Sequence, residues 1–169
     1  MTTEINTERL LLRELKASDA GQIFSLRSNK DVNRFLDRTP ATELKDADVF
    51  IQKIQKEVAS GNSFYWAVTV KPDPKLIGTL CLWNLSADRK RIEIGYELVP
   101  EMQGKGIMRE AVEAIINFSR NELKLDQLDA YSHKQNEAST QLLRNLNFIL
   151  NDSKADPDNA NHLAYELKL

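Results

Sequence analysis

Residues 100–110 constrain the fold of this chain more than any other segment. They read PEMQGKGIMRE, follow a short apolar segment and precede apolar residues at helical spacing, so Gly104 and Gly106 stand where a strand is joined to a helix. Glycine lets backbone N–H groups converge on a ligand, and the first N–H groups of a helix have no partner inside it. The segment therefore predicts a strand-to-helix corner that binds the phosphates of a nucleotide-bearing cofactor.

Two common phosphate-binding motifs do not fit this corner. A P-loop requires Gly-x-x-x-x-Gly-Lys-Ser/Thr, whereas Lys105 lies between the glycines and Ile107 follows the second one, so no magnesium-binding hydroxyl is supplied. A dinucleotide-binding loop requires a third glycine where this chain has Arg109, and it occurs early in a βαβ unit. The sequence therefore disfavours both ATP bound through a P-loop and NAD.

The pattern that fits is Gln-x-x-Gly-x-small, which runs from Gln103 through Gly106 to Met108. A second motif lies downstream, where NEAS at residues 136–139 is followed by leucines at helical spacing and by NF at 147–148. In this order the two motifs resemble the acetyl-CoA-binding signatures of the GNAT N-acetyltransferases. The resemblance covers nearly the whole chain.

Two further segments narrow the resemblance to one subgroup. TERLLLR at residues 7–13 and IEIGY at residues 92–96 are similar to segments of the RimJ/RimL-type enzymes, which acetylate N-terminal amines of ribosomal proteins. Two positions depart from the family pattern, because Met108 replaces a Gly or Ala and Asn147 replaces the Gly before Phe148. Asn tolerates left-handed backbone geometry, so the second change is mild. The methionine would loosen cofactor binding if its side chain pointed towards the pyrophosphate.

The resemblance implies acetyl-CoA as the cofactor and assigns residues to it. Backbone groups near Leu98 would pair with pantetheine where two strands diverge, the pyrophosphate would lie on the amides of residues 103–108, and Asn136 would hydrogen-bond a pantetheine amide. Lys105 and Arg109 either add positive charge or are solvated residues at a helix start, and the asparagine is equally suited to cap a helix. The expected cofactor-binding residues are Leu98, Gln103, Gly104, Lys105, Gly106, Ile107, Met108, Arg109, Asn136 and Ser139.

Acetyl transfer to an amine requires a neutral attacking nitrogen, a donor for the developing oxyanion and a proton for the leaving thiolate. Glu93 is the candidate base, acting directly or through water, because a carboxylate within an apolar strand is costly unless it faces a polar cleft. The alternative is a solvated strand face or a pair with a neighbouring Arg. Glu97, on the same face, either attracts a cationic acceptor or is simply exposed.

Ser139 is the candidate proton donor to the thiolate, with Glu93 the second predicted catalytic residue. The alternative for the serine is a hydrogen bond to the sulfur or to the preceding turn. Many relatives carry a tyrosine seven positions after the asparagine, and this chain has Leu143 there. The acid step therefore stays open.

Hydrophobic periodicity predicts an α+β fold. The expected architecture is a GNAT-like mixed, mostly antiparallel, twisted sheet of six to seven strands with helices on both faces, forming a single domain over residues 1–169. The expected strands begin near Leu10 and then cover 64–70, 76–83, 91–98, 128–132, 148–152 and 162–168. A loop is expected over 151–161.

Composition excludes several other classes. The net charge of −2 gives no basic field for nucleic acid, and one cysteine with two histidines offers little material for a metal site. Cys81 lies in an apolar segment, which favours a small core residue over a nucleophile. Charges near the N-terminus and the lack of a long apolar run predict a cytoplasmic protein without a membrane segment.

The sequence thus predicts an acetyl-CoA-dependent N-acetyltransferase that transfers directly in a ternary complex to a primary amine, foremost a protein N-terminal α-amine. One alternative acceptor is a small molecule such as a polyamine, an amino acid or an aminoglycoside. Another alternative is a noncatalytic acyl-CoA-binding module, favoured by the missing tyrosine and by Met108. Either a monomer or a homodimer is expected.

Overall fold

The computed structural model describes residues 3–155 and 159–169, and across them the chain forms eight strands and five helices. The strands are β1 (Ile5–Asn6), β2 (Leu10–Arg13), β3 (Phe64–Val70), β4 (Leu76–Trp83), β5 (Arg91–Leu98), β6 (Gln127–His133), β7 (Ile149–Ala155) and β8 (His162–Lys168). The helices are α1 (Ala20–Ser28), α2 (Lys30–Asn33), α3 (Leu44–Ala59), α4 (Ile107–Asn121) and α5 (Glu137–Asn145).

The eight strands form one mixed sheet in the order β1-β2-β3-β4-β5-β6-β8-β7. Only the β5–β6 pair is parallel among the described strands, so the predicted mixed, mostly antiparallel α+β fold is confirmed. The strand beyond the expected six to seven is β1, whose two residues are too few to give a periodic signal. In addition, β7 continues to Ala155, so the expected loop starts later, and residues 156–158 of that loop lie outside the described part of the chain.

Helices cover both faces of the sheet, because alternate residues of each strand point to opposite sides. On β3, Trp66 and Val68 belong to the core beneath α4 and α5, whereas Tyr65 and Ala67 belong to the core beneath α1 and α3. Burial of each large apolar side chain contributes about 1.5–3 kcal/mol, which holds the helices against the sheet. No helix among the described residues is long and apolar enough to cross a membrane.

The sheet opens between its two parallel strands. β5 and β6 pair only over residues 91–93 and 127–129. Beyond that point β5 follows β4 as far as Leu98, and β6 follows β8 as far as His133. The divergence that the resemblance implies is therefore present, and it leaves a gap at the carboxyl ends of both strands.

Candidate active site

The glycine loop (residues 103–106) connects β5 to α4 after a short 3₁₀ turn at Pro100–Met102. Gly104 and Gly106 adopt φ values of 73° and 72°, in the left-handed region that side chains make costly. A Cβ at Gly104 would meet no atom within 4 Å, so the glycine is required by the backbone conformation and not by crowding.

The glycine loop presents free backbone donors at the start of α4. The first intrahelical bond runs from the Glu110 N–H to the Gly106 carbonyl oxygen (3.1 Å), and the N–H groups of residues 106–109 have no acceptor in the described part of the chain. These donors coincide with the positive end of the dipole of α4, a 15-residue helix. The corner is therefore suited to bind a phosphate.

An ion pair holds this corner to the N-terminal strands. The Arg9 guanidinium donates to the Glu110 carboxylate (2.6 Å) and to the Lys105 carbonyl oxygen (3.0 Å), and the Thr7 hydroxyl donates to the same carboxylate (2.6 Å). Burial raises the pKa of Glu110, but the hydrogen bonds from Thr7 and Arg9 outweigh it and leave the pKa lowered. The Arg9–Glu110 ion pair was not predicted from the sequence. The sequence feature that could have indicated it is the TERLLLR segment, which contains Arg9.

The side chains of the glycine loop and of the first turn of α4 point away from the free donors or have other partners. Arg109 pairs with Glu113 (3.0 Å) along α4, and the exposed Lys105 ammonium lies 3.9 Å from the Met102 sulfur. Met108 is only 8% exposed and packs in the core beneath the helix, so its side chain lies outside the predicted pyrophosphate path. The buried Ile107 likewise has only its N–H to offer a ligand.

Gln103 closes the loop onto the end of β5. Its side-chain amide donates to the Leu98 carbonyl oxygen (3.0 Å), which is one of the backbone groups expected to contact pantetheine. A carbonyl oxygen has two lone pairs, so this contact leaves one of them for a ligand. The structure thus brings two predicted cofactor residues together through a contact that the sequence did not reveal.

A cavity of about 470 Å³, the inter-strand cavity, occupies the gap between β5 and β6. Glu93, Gly95 and Tyr96 of β5 line one side of it, and Tyr131 and His133 of β6 line the other. The beginning of α5 and the segment after α2 complete the wall. The cavity therefore lies at the carboxyl ends of the two parallel strands. The β5 residues that line it precede the glycine loop in sequence.

The Glu93 side chain faces the inter-strand cavity and is half-buried. The side-chain amide of Asn84 donates to one of its carboxylate oxygens (3.0 Å). A Cβ at Gly95, two residues further along β5, would lie 3.1 Å from the Cys81 sulfur, so a side chain at that position would crowd β4. This placement suits a base, although the role itself remains a prediction.

Glu97 was expected either to attract a cationic acceptor or to be exposed, and both expectations are wrong. Its side chain does not line the inter-strand cavity and is largely buried. Its carboxylate pairs with the Arg38 guanidinium at 2.7 Å, and the two side chains are 11% and 18% exposed. The neighbouring Cys81 is a thiol whose pKa is raised to about 12, first by burial and then by the charge of Glu97. A raised pKa makes a thiol a weaker nucleophile at neutral pH, in agreement with a role in packing.

Ser139 meets a tyrosine that the sequence motif did not point to. The Tyr96 hydroxyl lies 2.9 Å from the Ser139 hydroxyl, and burial raises the pKa of Tyr96 to about 12 despite the lowering effect of that hydrogen bond. Leu143, where relatives carry a tyrosine, is fully buried in the core. A tyrosine hydroxyl therefore reaches this serine from β5 and not from α5.

Asn136 caps α5 and still has donors to offer. Its side-chain oxygen accepts the Ser139 N–H (3.2 Å), while its amide NH₂ has no partner among the described residues. The two expected roles are thus compatible, because capping uses the oxygen and a pantetheine carbonyl would use the nitrogen. Both predicted α5 residues lie on the cavity wall.

His133 lines the cavity wall and is half-buried. Its ring lies 5.2 Å from that of Phe35 and 6.3 Å from that of His162, and its Nδ1 accepts the Gln135 N–H (3.2 Å). Within residues 3–155 and 159–169, no three His, Cys, Asp or Glu side chains are grouped so that they could hold a metal ion. The ring contacts and this hydrogen bond fix the position of the imidazole at the cavity wall.

Comparison with known protein sequences identifies the family of this chain. The family model of the acetyltransferase (GNAT) domain matches residues 9–149. Among curated proteins, N-acetyltransferase p20 of Bacillus licheniformis, itself uncharacterized, is 32% identical over 142 residues, which are 84% of this chain and 80% of that protein.

Solved structures share the fold. The ribosomal L7/L12 α-N-protein acetyltransferase RimL, in complex with coenzyme A, is 20% identical with a TM-score of 0.83, and the match covers 99% of this chain and 98% of that chain. The microcin C7 self-immunity acetyltransferase MccE, in complex with acetyl-CoA and AMP, is 18% identical with a TM-score of 0.83, over 96% of this chain and 94% of that chain.

These findings bear on the predicted family, enzyme class and cofactor. The family model confirms the acetyltransferase class, and the RimL match shows that the two chains share a fold. Similar GNAT structures hold coenzyme A or acetyl-CoA, which agrees with the predicted cofactor. The chain belongs to the GNAT family of acetyltransferases.

Proposed function

We propose that this protein transfers an acetyl group from acetyl-CoA to a primary amine, foremost the N-terminal α-amine of a protein, by direct transfer in a ternary complex. The observation that carries the proposal is the gap between β5 and β6. The free N–H groups of residues 106–109 follow the end of β5, and the hydroxyl of Ser139 and the carboxylate of Glu93 both face the cavity.

The cofactor fits the groups that this chain offers. The N–H groups at the start of α4 would hold the pyrophosphate, and the Asn136 amide would hold pantetheine between the strands. When bound, acetyl-CoA supplies an activated acyl carbon and a thiolate leaving group. Lys105 and Arg109 would add positive charge beside these backbone donors; without a ligand their side chains contact Met102 and Glu113.

The chain's own residues then handle two protons. Glu93 takes a proton from the acceptor ammonium, directly or through water, so that the nitrogen becomes a nucleophile. Tyr96 keeps its proton at neutral pH, since burial raises its pKa to about 12, and in the proposed path its hydroxyl donates to the Ser139 oxygen, which lies 2.9 Å away. The Ser139 hydrogen would then be given to the departing sulfur, and the second proton of the amine, released as the amide forms, would replace it on the hydroxyl pair.

Two observations support a protein N-terminus as the acceptor. TERLLLR at residues 7–13 and IEIGY at residues 92–96 are similar to segments of the RimJ/RimL-type enzymes. The first of these segments also carries the arginine that holds the glycine loop in place. The fold by itself does not identify the acceptor. RimL, described as a ribosomal-protein acetyltransferase, and MccE, described as a self-immunity acetyltransferase, match this chain with the same TM-score of 0.83.

The test measures thiol release from acetyl-CoA in the presence of an amine panel. We expect peptides that begin with Ala or Ser to raise thiol release, and calorimetry to show binding of coenzyme A. Release with polyamines, amino acids or aminoglycosides alone would favour a small-molecule enzyme. Binding of coenzyme A without release for any amine would favour the noncatalytic module.

A further inference from the structure

The inter-strand cavity has an apolar rim. Two of the large apolar side chains that are exposed in the described part of the chain line it, Leu36 at 39% and Trp83 at 46% exposure. The others, such as Val49 and Ile149, lie elsewhere on the surface. Exposed apolar groups at a cavity rim mark a place where a ligand's apolar part is removed from water.

Trp83 and Glu93 form a pair that suits an ammonium group. They are directly opposite each other in the β4–β5 ladder, so both side chains point to the same face of the sheet. The Trp83 indole nitrogen lies 3.9 Å from where a Cβ of Gly95 would be, so the ring extends along the cavity floor that the glycine leaves open. An aromatic face next to a carboxylate attracts a cation by two independent electrostatic effects.

In the described part of the chain, no Lys or Arg side chain lines the cavity to bind an anion. Its acidic lining residues are Asp37 and Glu93, and its other ionisable lining residues are two histidines and two tyrosines. Arg38 follows directly in sequence, but its guanidinium is paired with Glu97. A phosphate or carboxylate on the acceptor would therefore be desolvated next to negative charges.

We propose that the acceptor is an amphipathic cation: a primary ammonium that binds between Trp83 and Glu93, with an apolar substituent on Leu36 and no phosphate or carboxylate beside it. This inference rests on the proposed function and names the acceptor class of the same cavity. For a peptide acceptor, it means a first or second residue with an apolar side chain and not an acidic one. Trp83 and Leu36 are then specificity-determining residues.

The experiment compares peptides that differ only at the second residue. For peptides that begin Ala-Leu, Ala-Asn and Ala-Asp, we expect kcat/KM to fall in that order, with about a tenfold or larger difference between the first and the last. Phenethylamine and O-phosphoethanolamine form the matched small-molecule pair, and only the former should be acetylated. Equal kcat/KM for the three peptides, or a preference for the acidic or phosphorylated acceptor, would overturn the inference.

Variants at the rim separate binding from a general loss of activity. Trp83→Ala should raise KM for the Ala-Leu peptide about tenfold while kcat stays within a factor of two, because the binding surface is lost and the acid–base groups are kept. Leu36→Arg should raise kcat/KM for the Ala-Asp peptide and lower it for the Ala-Leu peptide. Val49→Ala, an exposed apolar residue outside the cavity, should leave all values unchanged. A Leu36→Arg enzyme with the original order of peptides would contradict the assignment of the rim.

Failure of the proposed function gives a different result. In that case no amine raises thiol release, and binding alone decides the inference. Trp83 is one of two tryptophans, and the other, Trp66, is fully buried, so indole fluorescence reports on the rim. Phenethylamine should then shift the emission at concentrations where O-phosphoethanolamine does not, and identical titrations for both amines would reject the inference.

Discussion

Gly106→Ala tests whether the backbone conformation of the glycine loop binds coenzyme A. Gly106 has a φ of 72°, and a left-handed conformation costs an L-residue about 1–2 kcal/mol. The added Cβ would meet only the Arg9 guanidinium at 3.5 Å, which is ordinary contact, so crowding adds nothing. The reduced freedom of the unfolded chain offsets roughly 0.4–1 kcal/mol, which leaves a net destabilisation of about 1 kcal/mol.

The same strain should appear in the affinity for coenzyme A. The exposed loop has open space around Gly104, so an alanine at position 106 can relax by turning its N–H groups away from the ligand. Binding must then restore the strained conformation, at a cost of about 1–2 kcal/mol, which corresponds to a Kd raised about 5- to 30-fold. Calorimetric titration with coenzyme A measures this change, and urea unfolding measures the loss of stability.

Gly61→Ala is the matched control. Gly61 follows α3 with a φ of 76°, and a Cβ there would meet no atom within 4 Å. It should lose about the same free energy of unfolding as Gly106→Ala and keep the Kd for coenzyme A. The reasoning is refuted if Gly106→Ala binds coenzyme A as tightly as the unsubstituted protein, or if both variants lose affinity equally.

Three further substitutions test the acid–base and loop contacts. Glu93→Gln should lower kcat about 10²- to 10⁴-fold and change the pH profile of kcat without changing the Kd for coenzyme A. The control, Glu113→Gln on the surface of α4, should change neither kcat nor its pH profile. An unchanged pH profile in Glu93→Gln would remove Glu93 from the mechanism. Tyr96→Phe should lower kcat about 2- to 12-fold through loss of the hydrogen bond to Ser139, measured by thiol release, and an unchanged kcat would contradict the proton path. Glu110→Gln should destabilise the protein at pH 7, because the lowered pKa of Glu110 stabilises the fold above the unfolded value of about 4.3 and this is lost as pH falls through the folded value. The difference in urea midpoint between the two proteins should therefore shrink towards pH 3, and a constant difference would count against this linkage.

The sequence was most informative where short-range geometry decides the structure. The glycine positions and the apolar spacing after them predicted the β5–α4 corner, because a positive φ and a helix start depend on neighbouring residues. Asn136 was placed correctly at the start of α5 for the same reason, since a cap bonds to an N–H three residues away. The family motifs added the order of these corners along the chain.

Contacts between distant residues could not be found in this way. The Tyr96–Ser139 hydrogen bond joins residues 43 apart in sequence, and the Arg9–Glu110 ion pair joins residues 101 apart. Which strand face each side chain takes depends on register, and a shift of one residue would exchange the faces. Glu97 shows the consequence, because its position in the strand predicted an exposed or ligand-facing carboxylate. Its partner is Arg38, which lies in a segment without a recognisable sequence pattern.

The alternation of side chains along β5 supports the proposed direct transfer. Ile94 and Tyr96 of this strand point to the face covered by α4 and α5, whereas Glu93 and Gly95 point to the opposite face. With β6 diverging after residue 129, a ligand between the strands has the serine–tyrosine hydroxyls on one side and the carboxylate on the other. The proposed proton acceptor, Glu93, and the proposed proton donor, Ser139, thus lie on opposite sides of β5, so an amine and a thioester that meet at this gap would each have the group they need, and the proposed reaction requires no residue to carry the acetyl group between them.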